Sequence, residues 1–163
     1  MPVQLVYIDS NSHHCEGGTT MKLSTRGEYA SRAILDIALH QGEDLVKIRD
    51  IAARQGVPLK YLENILLTLQ RAGIVRSRRG ARGGYYLARP ATAITVGEVI
   101  RAMDGPLAPI HCVSVSAYEQ CPREDSCGLK WVWKEVRDAI ADILDQTTFD
   151  DVIRHGQGQP APS

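Results

Sequence analysis

Apolar residues recur at helical spacing through Tyr29, Ala33, Ile34, Ile37 and Ala38, which predicts an amphipathic first helix ending near Gly42. Ile48, Ile51 and Ala52 line a shorter second helix, stopped at Gln55-Gly56. Pro58 suits the first turn of a third helix, where its missing N–H would have no partner in any case. Leu59, Leu62, Ile65, Leu66 and Leu69 form the buried stripe of that helix, and Gly73 closes it. The periodicity then changes. Ile74-Val75-Arg76-Ser77 and Tyr85-Tyr86-Leu87-Ala88 predict two strands, joined by Arg78-Arg79-Gly80-Ala81-Arg82-Gly83-Gly84. Glycine permits this turn and lets the backbone approach a ligand closely. Thr95 and Glu98 have the spacing of a capping box that opens a helix running through Met103. Gly105-Pro106 and Pro109 break it. From Leu129 a long helix carries Leu129, Val132, Trp133, Val136, Ile140, Ile143 and Leu144 on one stripe.

Helix, short helix, glycine-containing turn, helix and basic hairpin, in that order, predict a mainly α fold: a winged helix-turn-helix with a two-stranded β-wing, plus a long C-terminal dimerisation helix. Residues 1–20, with His13, His14, Cys15 and a Gly-Gly-Thr-Thr run, read as a flexible N-terminal extension. Residues 21–105 read as the DNA-binding domain, 106–128 as a cysteine loop, 129–148 as the dimerisation helix and 149–163 as a C-terminal tail. The stripe from Leu129 to Leu144 is too apolar to face water, so a homodimer is expected. No apolar run approaches the ~20 residues that span a bilayer, and the start lacks a basic region leading into an apolar core. A cytoplasmic location is therefore expected, with no membrane partner. There, cysteines serve as ligands or reactive thiols rather than as structural disulfides.

The net charge of zero conceals an asymmetry. Residues 22–89 contain 13 Lys/Arg against 6 Asp/Glu, whereas residues 98–151 contain 5 against 11. A basic half joined to an acidic half predicts that the first meets a polyanion. In a helix-turn-helix the second helix presents its N-terminal residues to base edges in the major groove. Those residues are Pro58, Lys60, Tyr61 and Glu63. Lys60 can reach a phosphate or a guanine, Tyr61 a phosphate, and Glu63 a cytosine amino group. Arg76, Arg78, Arg79 and Arg82 cluster on the hairpin, where they can follow phosphates or enter a minor groove. An enzyme's phosphate-binding loop is a poor alternative, because Gly83-Gly84 runs into a strand and not into a helix N-terminus. Double-stranded DNA is the predicted partner.

Cys112, Cys121 and Cys127 occupy one Gly/Pro-flanked loop, separated by eight and five residues. This is neither the C-x-x-C of a thiol–disulfide oxidoreductase nor the paired knuckles of a zinc ribbon. Three thiolates at loose spacing can hold a soft metal or an iron–sulfur cluster, with a fourth ligand position open. Trp131 and Trp133 read as interface or core anchors. With no C-x-x-C, no His/Asp partner and no cofactor fingerprint, nothing supports catalysis. A pure protein-interaction module would differ from a DNA reader in lacking salt-sensitive binding to duplex DNA.

The segments MKLSTRGEYA from Met21, LKYLE from Leu59, AGIV from Ala72, RGARGGY from Arg79 and TVGEVI from Thr95, with Thr147-Thr148-Phe149, resemble the IscR/NsrR/CymR family of bacterial winged-helix regulators. The resemblance covers about residues 21–153. It implies dimerisation through the long C-terminal helix, binding to operator DNA near promoters, and DNA contacts by Lys60, Tyr61, Glu63 and Arg79. It also implies that Met21 corresponds to the usual start. Pro58 departs from members that carry a hydroxyl there. In the cluster-binding branch three cysteines occupy this loop, which implies a 2Fe–2S or 4Fe–4S cluster on Cys112, Cys121 and Cys127. One branch adds a histidine three residues after the last cysteine, but that position here is Lys130. Another uses an acidic residue of the first helix, supplied by the partner subunit, and Glu28 stands at the matching position. Glu28 equally fits a capping box with Thr25, and His111 is a third candidate. The expected function is a homodimeric regulator sensing iron–sulfur, redox or nitrosative status. The alternative is a cluster-free regulator of cysteine or sulfur metabolism acting with a protein partner, a branch that Gly105 to Pro109 and Thr147-Thr148 also resemble.

Overall fold

The computed structural model describes residues 23–42, 45–80 and 82–159; the extension 1–20 with His13, His14 and Cys15 lies outside them. The described chain runs α1 Thr25–His40, α2 Ile48–Gln55, α3 Leu59–Arg71, β1 Val75–Arg78, β2 Gly84–Leu87, α4 Val96–Asp104, α5 Lys130–Gln146 and α6 Phe149–Gly156. Short 3-10 turns lie at Ala91–Ala93, His111–Val113 and Glu124–Ser126. This is the mainly helical winged helix-turn-helix that the pattern predicts.

Helix α1 is the centre of the domain. Ala30, Ala33, Ile34 and Ile37 are buried, and α2, α3, α4, α6 and β2 all pack on this helix. Its start differs from expectation by one residue. Ser24 is the cap and accepts from the Gly27 N–H at 2.9 Å, while Glu28 pairs with Arg32 at 2.8 Å. The Thr25–Glu28 capping box is therefore absent: with Ser24 as cap, the third helical position is glycine, and Glu28 is free to reach one turn onward. Asp104 also accepts from the Ser24 hydroxyl, which ties the end of α4 to the start of α1.

Asp36, on the same helix, is buried, and its carboxylate is fully engaged. Arg54 donates to it from Nε and Nη2 at 2.9 and 2.7 Å, and Gln55 Nε2 donates at 3.0 Å. This fork fixes the end of α2 immediately before Gly56, whose φ of 64° makes the turn into α3. Glycine suits that left-handed cap because it lacks a Cβ. Leu62, Ile65, Leu66 and Leu69 are buried as expected, but Leu59, at the start of α3, is 38% exposed. Pro58 stands one position ahead of the helix, as its cap.

The capping box of α4 forms as predicted, with Thr95 and Glu98 each accepting from the other's backbone N–H. Helix α4 meets α5 through Arg101, which donates to Asp145 from Nη1 and Nη2 at 2.5 and 2.7 Å. Gly97 makes this possible, since a Cβ there would run into the Asp145 carboxylate. The residues after α5 are more than a tail. Phe149 is 2% exposed, Thr148 and Asp151 form a second capping box, and the Phe149 N–H donates to the Ile94 carbonyl at 3.0 Å. The segment 149–163 reads as a tail although Phe149–Gly156 is helical and packed on α1; the Thr148-x-x-Asp151 cap and Phe149, Val152 and Ile153 at helical spacing were the signal available for it.

Burial raises the pKa of Asp36, but the hydrogen bonds and charge of Arg54, with Gln55, outweigh it and hold the carboxyl below its ordinary value. A depressed folded-state pKa adds stability that is complete above the ordinary carboxylate range, near about pH 4, and is lost as pH falls through the folded value. Asp36→Ala should cost about 1–3 kcal/mol in urea unfolding at neutral pH, because it removes the charged hydrogen bonds to Arg54 and Gln55 while leaving Arg54 partly open to water. The gap to the wild type should shrink near pH 3.

Candidate nucleic-acid interface and thiol loop

Lys60, Tyr61 and Glu63 all stand in the first turns of α3, on the side away from the core. Lys60 Nζ donates to Glu63 Oε2 at 3.1 Å. The Tyr61 ring packs edge-on against Tyr29 of α1, with centroids 5.9 Å apart. That contact ties the exposed start of α3 to the central helix.

Strand β1 pairs antiparallel with β2, with Arg76 opposite Tyr86 and Arg78 opposite Gly84. All four wing arginines are exposed. Arg76 and Arg78 share one face of the strand because side chains alternate. Arg78 reaches toward the Arg82 carbonyl at 3.4 Å, and Gln70 of α3 donates to Ser77 at 2.8 Å, bracing the wing from below. The wing also has a contribution that the hydrophobic pattern does not reveal. Val46 pairs with Tyr85 through two backbone hydrogen bonds of 3.0 and 2.8 Å, which join the segment before α2 to β2. Gly84 allows this, since a Cβ there would lie 2.7 Å from the Val46 carbonyl oxygen and 2.9 Å from Leu45 Cβ. The close approach permitted by the glycine pair is thus to the protein's own backbone.

The three loop cysteines are free and half-buried. Cys112 lies in the first 3-10 turn of the loop, and Cys127 ends the turn that precedes α5. Among the described residues no group of three or more His, Cys, Asp or Glu side chains is gathered as a metal site, so Cys112, Cys121, Cys127, Glu28 and His111 do not form one ligand set within this chain. The loop instead has a network of its own. Lys130 Nζ donates to Glu124 Oε1 at 2.5 Å, and the Tyr118 hydroxyl donates to Glu124 Oε2 at 2.6 Å. Arg137 Nη1 donates to the Val113 carbonyl at 2.6 Å. The Lys130 ammonium and the Tyr118 hydroxyl hold the Glu124 carboxyl below its ordinary value, and Glu124 in turn raises Lys130. Cys112, Tyr118, Glu124, Lys130, Lys134 and Arg137 face one cavity of about 230 Å³. Lys130, at the position of the histidine in one branch, therefore serves as the cation of an ion pair.

A family model described as Rrf2, iron-dependent transcriptional regulator, matches residues 23–155. The chain belongs to the Rrf2 family. It is 42% identical over 134 residues to protein rrf2 of Nitratidesulfovibrio vulgaris, covering 82% of this chain and 88% of that one. It is 38% identical over 135 residues to the regulator IscR of Pectobacterium atrosepticum, covering 83% and 80%. Among solved structures, T. potens IscR aligns with a TM-score of 0.69 and 36% identity over 90% of this chain and 97% of that one. CymR, the global cysteine regulator of B. subtilis, aligns with 0.67 and 34% over 83% and 98%. This Rrf2-family chain is a DNA-binding transcriptional regulator, and its relatives IscR and CymR are named as transcriptional regulators, not as enzymes. No helix among its described residues is long and apolar enough to cross a membrane.

The charge pattern along this Rrf2-family chain points to the wing and α3 but passes over Lys47 and Arg49. Both are exposed at the start of α2, beside the wing. Only the pairing of Val46 with Tyr85 brings them there, and a contact between residues so distant in sequence leaves no periodic trace. Gly84→Ala should force that pairing apart, costing about 1–3 kcal/mol as overpacking does. Thermal unfolding should show the loss, and duplex binding should weaken beyond what the stability change explains.

Proposed function

We propose that the protein is a homodimeric repressor or activator that binds double-stranded operator DNA through α3 and the wing, and that it senses iron–sulfur, redox or nitrosative status through Cys112, Cys121 and Cys127. The observation that carries this reading is three free thiols in a single loop between the winged domain and α5. Free thiols fit a cluster chemically, because thiolates are its usual ligands. Cys112, Cys121 and Cys127 would hold it, with Glu28 of the partner subunit as candidate fourth ligand. A bound cluster supplies a redox- and nitric-oxide-sensitive centre. Because the loop is braced by Lys130–Glu124–Tyr118 and Arg137–Val113, gathering the thiols requires these contacts to rearrange, and that rearrangement is how ligation would reach α5.

Support for dimerisation comes from α5. Its 17 residues include none that is buried, while Trp131 is 68% and Ile143 66% exposed. Val132, Trp133, Val136, Ile140 and Leu144 are half-buried. Two such helices packed against each other cover one another's stripes and set the two recognition helices about 34 Å apart, one turn of DNA. Light scattering at micromolar concentration should report a dimer; a monomer would remove this part of the proposal.

A second reading, a cluster-free regulator in the manner of a cysteine regulator, draws support from the similarity to CymR and from a loop that is braced without any metal. Protein purified without oxygen separates the two. Iron, with visible absorption that Cys121→Ser abolishes, supports the sensor; a colourless, iron-free protein that still binds DNA supports the second reading. If the loop is coupled to the DNA-binding domain by the ~1–3 kcal/mol typical of allosteric proteins, operator affinity should differ ~5–150-fold between holo protein and Cys121→Ser. Identical affinities would make the loop a passive linker.

A further inference from the structure

A broad concavity lies away from the thiol loop, between the start of α2 and the wing. It encloses about 670 Å³ and is lined by Lys47, Arg49, Ser77, Arg78, Arg79 and Tyr85, among others. Four of these are cations, and among the described lining residues there is no carboxylate. Asp50, the acidic residue of the first turn of α2, is not part of the lining and instead acts on Arg54 within its own helix. Ser77 accepts from Gln70 and so keeps its own hydroxyl proton to donate. The N-cap of α2 is Lys47, whose side chain makes no capping hydrogen bond, so among the described residues the N-cap side chain offers the first amide N–H groups no acceptor. Such amides add partial positive charge where the two basic side chains already converge.

The basin is also preformed. The Val46–Tyr85 hydrogen bonds join its α2 wall to its wing wall, and Gly84 permits that join. The backbone segments that carry Lys47 and Arg49 on one side and Arg78 and Arg79 on the other are therefore held to each other.

We infer that this basin is a phosphate seat, in which Lys47 and Arg49 together with the wing arginines hold one backbone phosphate of the duplex on each half-site. It lies beside the wing, apart from the exposed start of α3, so its contact sets the position of the domain on the backbone and carries no base information. The inference rests on the proposed DNA-binding mode, and it assigns a role to two residues that the charge pattern counts only toward the basic half.

The test is operator binding by the full-length protein across a salt series, comparing wild type with Lys47→Gln/Arg49→Gln. Loss of one phosphate contact per protomer should flatten the log–log salt slope by about 2 per dimer, which narrows the affinity change between 50 and 200 mM salt roughly tenfold. The ratio of operator to scrambled-duplex affinity should stay the same. Neutral methylphosphonate linkages placed one at a time along the operator should reveal one position per half-site that weakens the wild type and leaves the variant unaffected. An unchanged slope, or methylphosphonate effects that simply add to those of the variant, would overturn the inference. So would a variant whose circular dichroism or melting temperature departs from the wild type enough to account for its binding loss; the single variants Lys47→Gln and Arg49→Gln provide that control. A second arm titrates inorganic phosphate against chloride at equal ionic strength without DNA. Saturable binding that the variant loses, together with an unchanged salt slope on DNA, would assign the basin to a free anion instead. If the wild type shows no salt-sensitive duplex binding, it is the DNA-binding mode that fails, and the basin with it.

Discussion

Burial of α1 is the constraint on which the rest of this molecule depends. Four helices and the inner strand of the wing lay their apolar residues on Ala30, Ala33, Ile34 and Ile37, and small residues at two of these positions let the neighbours come close. Asp36 stands among them as a charge in a place that otherwise excludes water, so it is tolerated only with Arg54 and Gln55 closed on it. The same contact that satisfies the carboxylate fixes the angle at which α2 hands over to α3. Helix α3 is thus aimed from inside the core, one turn ahead of its own first residue.

Local features were legible in the sequence where the forces are local. The Thr95–Glu98 box, the stripe of α3 and the left-handed Gly56 depend on residues within one helical turn of each other, and periodicity and residue type expose them. Three features were not legible for a shared reason. The burial of Asp36 depends on an arginine eighteen positions later, the pairing of Val46 on a tyrosine across the wing, and the packing of Phe149 on a helix more than a hundred residues earlier. The cap of α1 failed on a finer scale: Ser24 and Thr25 are both competent caps, and the choice of Ser24 coincides with its bond to Asp104 from another helix. The three cysteines were plain in the sequence, whereas the ion pair between them was not, because Glu124 and Lys130 in an exposed loop look like solvated charges.

That ion pair changes how the loop is to be understood. Lys130–Glu124–Tyr118 and Arg137–Val113 give the segment between the two halves of the protein a defined arrangement made of protein groups alone. A loop with its own hydrogen bonds is an ordered element rather than a loose tether. On the proposed sensing role, a ligand that rearranged those bonds would shift the balance only by its preference for one arrangement over the other.

The absence of a side chain at Gly97 has a mechanical consequence. It lets Asp145 close on Arg101, so that α4 and α5 meet as two rods clasped near one end of α5. A helix of 17 residues extends about 25 Å at 1.5 Å per residue, so swinging its Lys130 end sideways by roughly 2 Å turns the clasp by only about 5°. The far end of that rod lies next to Cys127, and the clasped end rests on α4, which packs on both α1 and α3. The arrangement has the proportions of a reduction gear: an ångström-scale displacement at the loop end of α5 corresponds to only a few degrees of rotation where α5 is clasped to α4.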